Sequence, residues 1–178
     1  MPNLIARSPF DGLLPLTGAG ILATELLPDA ITSVAASPSA EAARFKAGVG
    51  MAFPSPNRAT GKEGNRAIWT GPNQCFVLGA RPEAIPGYTM TDQSDGWGVI
   101  RLDGDGIPDL LARLTSVDLR DAQFKRGHTA RSLLGHMNAS ITRTGAKTYD
   151  LMVFRSMANT AIHDLERAIR ALEGRNAL

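Results

Sequence analysis

Cysteine is almost absent: Cys75 is the only one in 178 residues. No intrachain disulfide can form, and a reducing, cytoplasmic setting is the expectation. Histidine is nearly as scarce, with three residues. No Cys pair, His-Glu-x-x-His or clustered His/carboxylate pattern joins His128, His136 or His163, so no metal site is expected. Neither sign of charge dominates, since Lys plus Arg total 19 against 17 Asp plus Glu, for a net charge of +2. No window has the basic density that a phosphate backbone demands, which argues against a nucleic-acid partner. Long apolar runs are missing too. None approaches the roughly 18 residues that span a bilayer, and Met1 to Phe10 lacks the apolar core of a secretory signal. No membrane partner is expected.

What is present suits a globular chain: 43% apolar and 20% charged residues, and enough length for one domain with a substantial core. Residues 1–30 are rich in Pro and Gly and show no clean periodicity. They read as an extended N-terminal arm whose apolar anchors include Phe10, Leu13, Leu14 and Leu16. Such an arm wraps its own domain or packs on a partner. Residues 31–178 read as a single α+β domain.

Within that domain Ile31 to Ala36 is a β-branched run and reads as a strand. Ser37-Pro38 reads as the start of a helix over Ser39 to Lys46. Gly48 to Phe53 reads as another strand, and Pro54 to Asn65 as an exposed loop. Ala67 to Thr70 and Gln74 to Leu78, parted by Gly71-Pro72-Asn73, predict a hairpin. Tyr88 to Ser94 and Trp97 to Asp103 follow as strands, broken at Asp95-Gly96. Ile107, Leu110, Leu111 and Leu114 make one apolar stripe on a helix over Asp105 to Thr115. Strands are predicted over Thr129 to Leu134, His136 to Arg143 and Thr148 to Phe154. In the last helix Ser156 is the expected cap, Ala158, Ile162, Leu165, Ala168, Ile169 and Leu172 the buried stripe, and Gly174 the end. The expected class is α+β, with largely antiparallel sheets and helices on one face.

Catalytic patterns are weak. Gly18-Ala19-Gly20-Ile21-Leu22-Ala23 fits a dinucleotide fingerprint, but Pro15 and Asp11-Gly12 precede it where a central parallel strand is needed. It reads as part of the arm. Cys75 lies between Gln74 and Phe76 in an apolar strand, as a buried, inert thiol would. Asp92, Ser94 and Asp95 occupy a strand end and a turn, where paired carboxylates for acid/base work would need one member desolvated and turn capping by Asp95 and Ser94 explains the cluster equally well. No catalytic, cofactor-binding or metal-binding residue is expected. Two residues stand out as possible contacts. Trp97 opens a strand after a turn, where it plugs the core or meets another subunit. Arg155 follows an apolar strand, where it pairs with a carboxylate of this chain or of a partner. With Phe10, Leu13, Leu14 and Leu16 they are the partner-interface candidates.

The run Thr91-Asp92-Gln93-Ser94-Asp95-Gly96-Trp97-Gly98-Val99-Ile100-Arg101-Leu102-Asp103-Gly104 resembles the central signature of the gamma subunits of heterotetrameric sarcosine oxidase. Leu110-Leu111-Ala112-Arg113-Leu114, Val117-Asp118-Leu119, Phe124, Gly127, Ala130-Arg131 and Leu134-Gly135-His136 continue it in order. Leu151-Met152-Val153-Phe154-Arg155-Ser156-Met157-Ala158 is similar to that family's segment before its last helix. The resemblance implies a fold like the folate-binding domain of the glycine-cleavage aminomethyltransferase. It implies a subunit, not catalytic by itself, of a complex with alpha, beta and delta partners. That complex demethylates sarcosine oxidatively to glycine, releasing hydrogen peroxide with formaldehyde or methylenetetrahydrofolate. FAD, FMN, NAD and tetrahydrofolate are expected in the other subunits and none on this chain alone. Self-association is expected to be open to the chain when isolated. The related transferases carry an acidic residue in a strand comparable to Asn138-Ala139-Ser140-Ile141-Thr142-Arg143, which has no carboxylate. The alternative is a stand-alone folate-binding protein or one-carbon transferase.

Overall fold

Strands that are apolar on both faces need cover on both sides, and this requirement shapes the molecule. A computed structural model describes residues 7–177; residues 1–6 of the expected arm lie outside the described residues. In chain order the first strands are β1 (Leu16–Gly18), β2 (Ile21–Glu25) and β3 (Ala30–Ala36), followed by helix α1 (Ala42–Val49). Next come β4 (Ala59–Lys62), β5 (Asn65–Gly71), β6 (Gln74–Gly79), β7 (Tyr88–Asp92) and β8 (Trp97–Gly104). Helix α2 (Ile107–Leu111), β9 (Thr129–Leu134), β10 (Met137–Arg143), β11 (Thr148–Phe154), a 3-10 turn (Arg155–Met157) and helix α3 (Ala158–Asn176) complete the chain. A six-stranded sheet runs β1-β2-β8-β11-β10-β9 and a five-stranded sheet β4-β5-β6-β3-β7. Every strand pairing is antiparallel.

Side-chain alternation sorts the strands into layers. Ile100 and Leu102 of β8, with Tyr149, Leu151 and Val153 of β11, turn to one face of the larger sheet and meet α2 and α3 there. Trp97, Val99 and Met152 turn to the opposite face and pack on Ile31, Ile68, Phe76 and Leu78 of the smaller sheet. The smaller sheet's other face, with Val34, Cys75 and Val77, receives Phe45 and Val49 of α1. The order of layers is helices, sheet, sheet, helix, so each sheet carries helices on its outer face only. Among the described residues no helix is long and apolar enough to cross a membrane.

Several expectations need correction. Residues 16–25 are not an arm outside the domain but two strands of the larger sheet, so no boundary falls at Ile31. Phe10 ahead of them is only 1% exposed. Its ring occupies the space left by Gly98, where a Cβ would sit 2.6 Å away. The strand expected over Gly48 to Phe53 is instead the end of α1 and a loop. Gly50, at φ 80°, donates its N–H to the Lys46 carbonyl and closes the helix, as a left-handed glycine does. The loop expected over Pro54 to Asn65 contains β4. At α3 no side chain caps the start; the 3-10 turn leads in, and the helix runs through Gly174. One glycine in a helix costs only about 1 kcal/mol, too little to stop a helix held by a stripe of buried residues.

Candidate functional site

The interface candidates separate on inspection. Phe10 and Trp97, 1% and 6% exposed, are core residues and not surface anchors. Leu13, Leu14 and Leu16 are half-buried and pack on the larger core of their own chain. Arg155 is exposed and donates from Nη2 to the Arg7 carbonyl, an intrachain partner but not a carboxylate. Trp97 nevertheless marks a surface, because it is the inner end of an aromatic stack. Phe76 of the facing sheet meets its ring edge-on at 5.2 Å, and Phe154 lies against it at 4.3 Å. The Arg131 guanidinium sits 5.6 Å from the Trp97 ring centre, a cation–π contact.

Strand register explains the grouping. Phe154 is directly opposite Trp97, and Ala139 opposite Val153 brings Asn138 beside Phe154. Leu133 is opposite Asn138, which puts it in the same row. Phe154 is 39% exposed and Leu133 51%, so the row leaves the cover of the smaller sheet as a ledge of two apolar side chains with the exposed Asn138 between them. It ends on β9, the outermost strand of its sheet. The Thr129 N–H bonds Asn57 O at 3.1 Å and the Gly135 N–H bonds Leu114 O at 2.6 Å, both away from β10. Alternation then directs the amides and carbonyls of Arg131 and Leu133 outward as well. Sequence reasoning missed Phe154 and Leu133. The Leu133-Leu134 doublet was the available signal, since adjacent strand residues face opposite ways and only Leu134 is buried.

A second polar feature lies where the sheets part. β8 and β11 replace apolar residues there with Arg101 and Asp150. Both Asp150 oxygens accept from Arg101, at 2.8 Å from Nε and 3.1 Å from Nη2, and Glu63 accepts from Nη1. The Asp150 hydrogen bonds in particular, with the charges of Asp150 and Glu63, raise the Arg101 pKa. Thr142, in the strand expected to lack a carboxylate, sits opposite Asp150. Its hydroxyl is 2.8 Å from that of Thr129, in a buried polar seam with Ser140. The signal for Asp150 was a lone acid in an otherwise apolar strand.

Other sequence features resolve into structure. Ala19 and Gly20, at φ 50° and 75°, form the turn joining antiparallel β1 and β2. A strand, not a helix, follows the apparent dinucleotide fingerprint, which removes the nucleotide reading. Asp92 accepts from the Ser94 N–H at 3.0 Å and hydroxyl at 2.6 Å. These bonds, with the nearby Arg81, hold its carboxyl below the usual range. Burial pushes the Cys75 thiol up to about 12.

The chain shares this α+β fold with a chain in the solved structure described as heterotetrameric sarcosine oxidase from Corynebacterium sp. U-96 in complex with pyrrole 2-carboxylate. The TM-score is 0.79 at 18% identity, over 94% of this chain and 96% of that one. No curated protein matches the sequence. The model of the "Sarcosine oxidase, gamma subunit family" matches residues 79–169, and the chain belongs to that family.

Proposed function

We propose that the chain is a non-catalytic subunit of a heterotetrameric sarcosine oxidase, with an assembly role. Its partners are the alpha, beta and delta subunits, and FAD, FMN, NAD and tetrahydrofolate belong to those partners. The complex demethylates sarcosine oxidatively to glycine. The observation that carries this reading is the ledge of Phe154 and Leu133 at the open edge of β9, in a chain of this family. Exposed apolar side chains beside unpaired main-chain groups suit a partner contact. A stand-alone folate-binding protein or one-carbon transferase is the weaker reading. Asp150, the buried carboxylate among the described residues, has both oxygens taken by Arg101, the pattern of a structural ion pair.

The test is co-expression with alpha, beta and delta subunits, followed by size-exclusion chromatography and a sarcosine-dependent peroxide assay. The chain is expected to comigrate with flavin absorbance. The double variant Leu133→Glu, Phe154→Glu should keep its circular dichroism and elute apart. A wild-type chain that elutes alone, while the other three stay assembled and active, overturns the proposal.

A further inference from the structure

The charge balance where the sheets part is uneven. A cleft of about 280 Å³ opens there, lined by Lys62, Glu63, Arg66, Arg101, Arg126 and Thr148 among others. Two of its neighbouring carboxylates are engaged by one cation and the third by a neutral hydroxyl. Asp150 beneath it serves Arg101, Glu63 serves the same guanidinium, and Asp103 on the wall accepts from the Thr148 hydroxyl at 2.7 Å. The cations are not matched. Among the described residues Arg66 and Lys62 make no side-chain hydrogen bond or ion pair, and Arg126 makes one hydrogen bond, from Nε to Thr144 O at 3.1 Å. Arg66 is half-buried and lines both this cleft and a smaller recess of about 100 Å³ beside Arg101 and Asp150. Burial lowers its pKa first, and the like charges of Arg101 and Arg126 lower it further, against Asp150 and Glu63.

A half-buried guanidinium facing other guanidiniums, with no acceptor of its own, is an unfavourable arrangement that an anion relieves. Arginine presents a planar fork that matches phosphate and carboxylate oxygens. At about 280 Å³ the cleft lies at the bottom of the range that houses small ligands, room enough for a small anion. We propose that this cleft binds a small oxyanion carrying two or more negative charges, a phosphate or a di- or tricarboxylate, through Arg66 and Arg126 with Lys62 at the rim. The site is independent of the ledge on β9, and assembly does not enter its test.

The test uses the isolated full chain at low ionic strength, titrated calorimetrically with inorganic phosphate and, separately, with citrate. Sodium chloride at matched ionic strength is the control. Saturable one-site binding of either anion is expected. Arg66→Gln should weaken it by about tenfold or more and remove the rise in thermal midpoint that the anion gives the wild type. Arg44→Gln, on the exposed side of α1, should bind as the wild type does. If Arg66→Gln fails to fold, the exposed Lys62→Gln takes its place, with a smaller loss expected. Binding of neither anion, chloride reproducing the heats, or the cleft variant titrating like the wild type would each overturn the proposal.

Discussion

Cys75 is where a single side chain gives the clearest linkage. It lies on the middle strand of the smaller sheet, facing α1, with no exposure, and burial pushes its thiol up to about 12. An unfolded thiol ionises near pH 8.5. The folded state therefore keeps a proton that the unfolded state releases. Its contribution to stability is fully present below about pH 8.5 and is lost as the pH rises toward the folded value. Urea midpoints measured from neutral to alkaline pH should fall for the wild type and fall less steeply for Cys75→Ala. The native thiol should also react with an aromatic disulfide reagent only at the rate at which the chain opens. Prompt stoichiometric reaction in the native state would contradict the buried placement. The strand context of Cys75 made this legible in the sequence, since Phe76 and Val77 beside it face opposite layers.

Elements are held by a few side chains that no pattern of apolar residues reveals. Arg143 ends β10, is nearly buried, and serves both loops around it. It donates to Phe124 O at 2.8 Å, Gly145 O at 3.2 Å and Ala146 O at 2.7 Å, and pairs with Asp121 at 2.7 Å. Its guanidinium also lies 5.5 Å from the Tyr149 ring centre. Arg143→Lys keeps the charge but not the fork, so one ammonium cannot serve the buried Phe124 carbonyl and the part-buried Gly145 and Ala146 carbonyls together. A loss of about 2–4 kcal/mol is expected, read from denaturant unfolding, with the far-ultraviolet spectrum unchanged. A loss under about 0.5 kcal/mol would mean that the loops hold themselves. From sequence, Arg143 was only the end of a strand. The long elements were readable because periodicity reports burial: the stripe from Ala158 to Leu172 is buried throughout, and β9 to β11 fall within a residue of expectation. The short strands β1 and β2 were not, because three and five residues beside Pro15 and Gly20 carry too little alternation to outweigh breakers. The strand that holds this hairpin in the sheet through β2, β8, is far along the chain, and a pairing so remote leaves no local trace.

At the scale of the whole molecule, the smaller sheet is one continuous insertion into the larger. The chain leaves the larger sheet after β2 and returns at β8, and the two crossings are fastened together. Leu26 N–H bonds Val99 O at 2.9 Å, Gln93 N–H bonds Ile31 O at 2.8 Å, and Ile31 N–H bonds the Ser94 hydroxyl at 3.0 Å. The sheets are thus locked at the end that carries Trp97 and bridged again just ahead of β9, where Arg58 pairs with His128, which leaves the edge of β9 open along Arg131 to Leu133. Sequence reasoning placed the partner surface at Trp97 and the arm. The stack that Trp97 begins does reach the surface, but at Phe154 and Leu133, because strand register and not sequence proximity carries the row outward. An open antiparallel edge with an apolar ledge is also able to pair with its own copy about a two-fold axis. In the absence of other subunits, the isolated chain is expected to dimerise with rising concentration, joining β9 to β9. Sedimentation velocity should show the weight-average coefficient climbing with loading for the wild type and constant for Leu133→Glu, Phe154→Glu. If both proteins stay monomeric, the ledge is too small to bind itself, and pairing requires a complementary strand from a different chain. If both dimerise, another surface is responsible, and the contact must be sought away from β9.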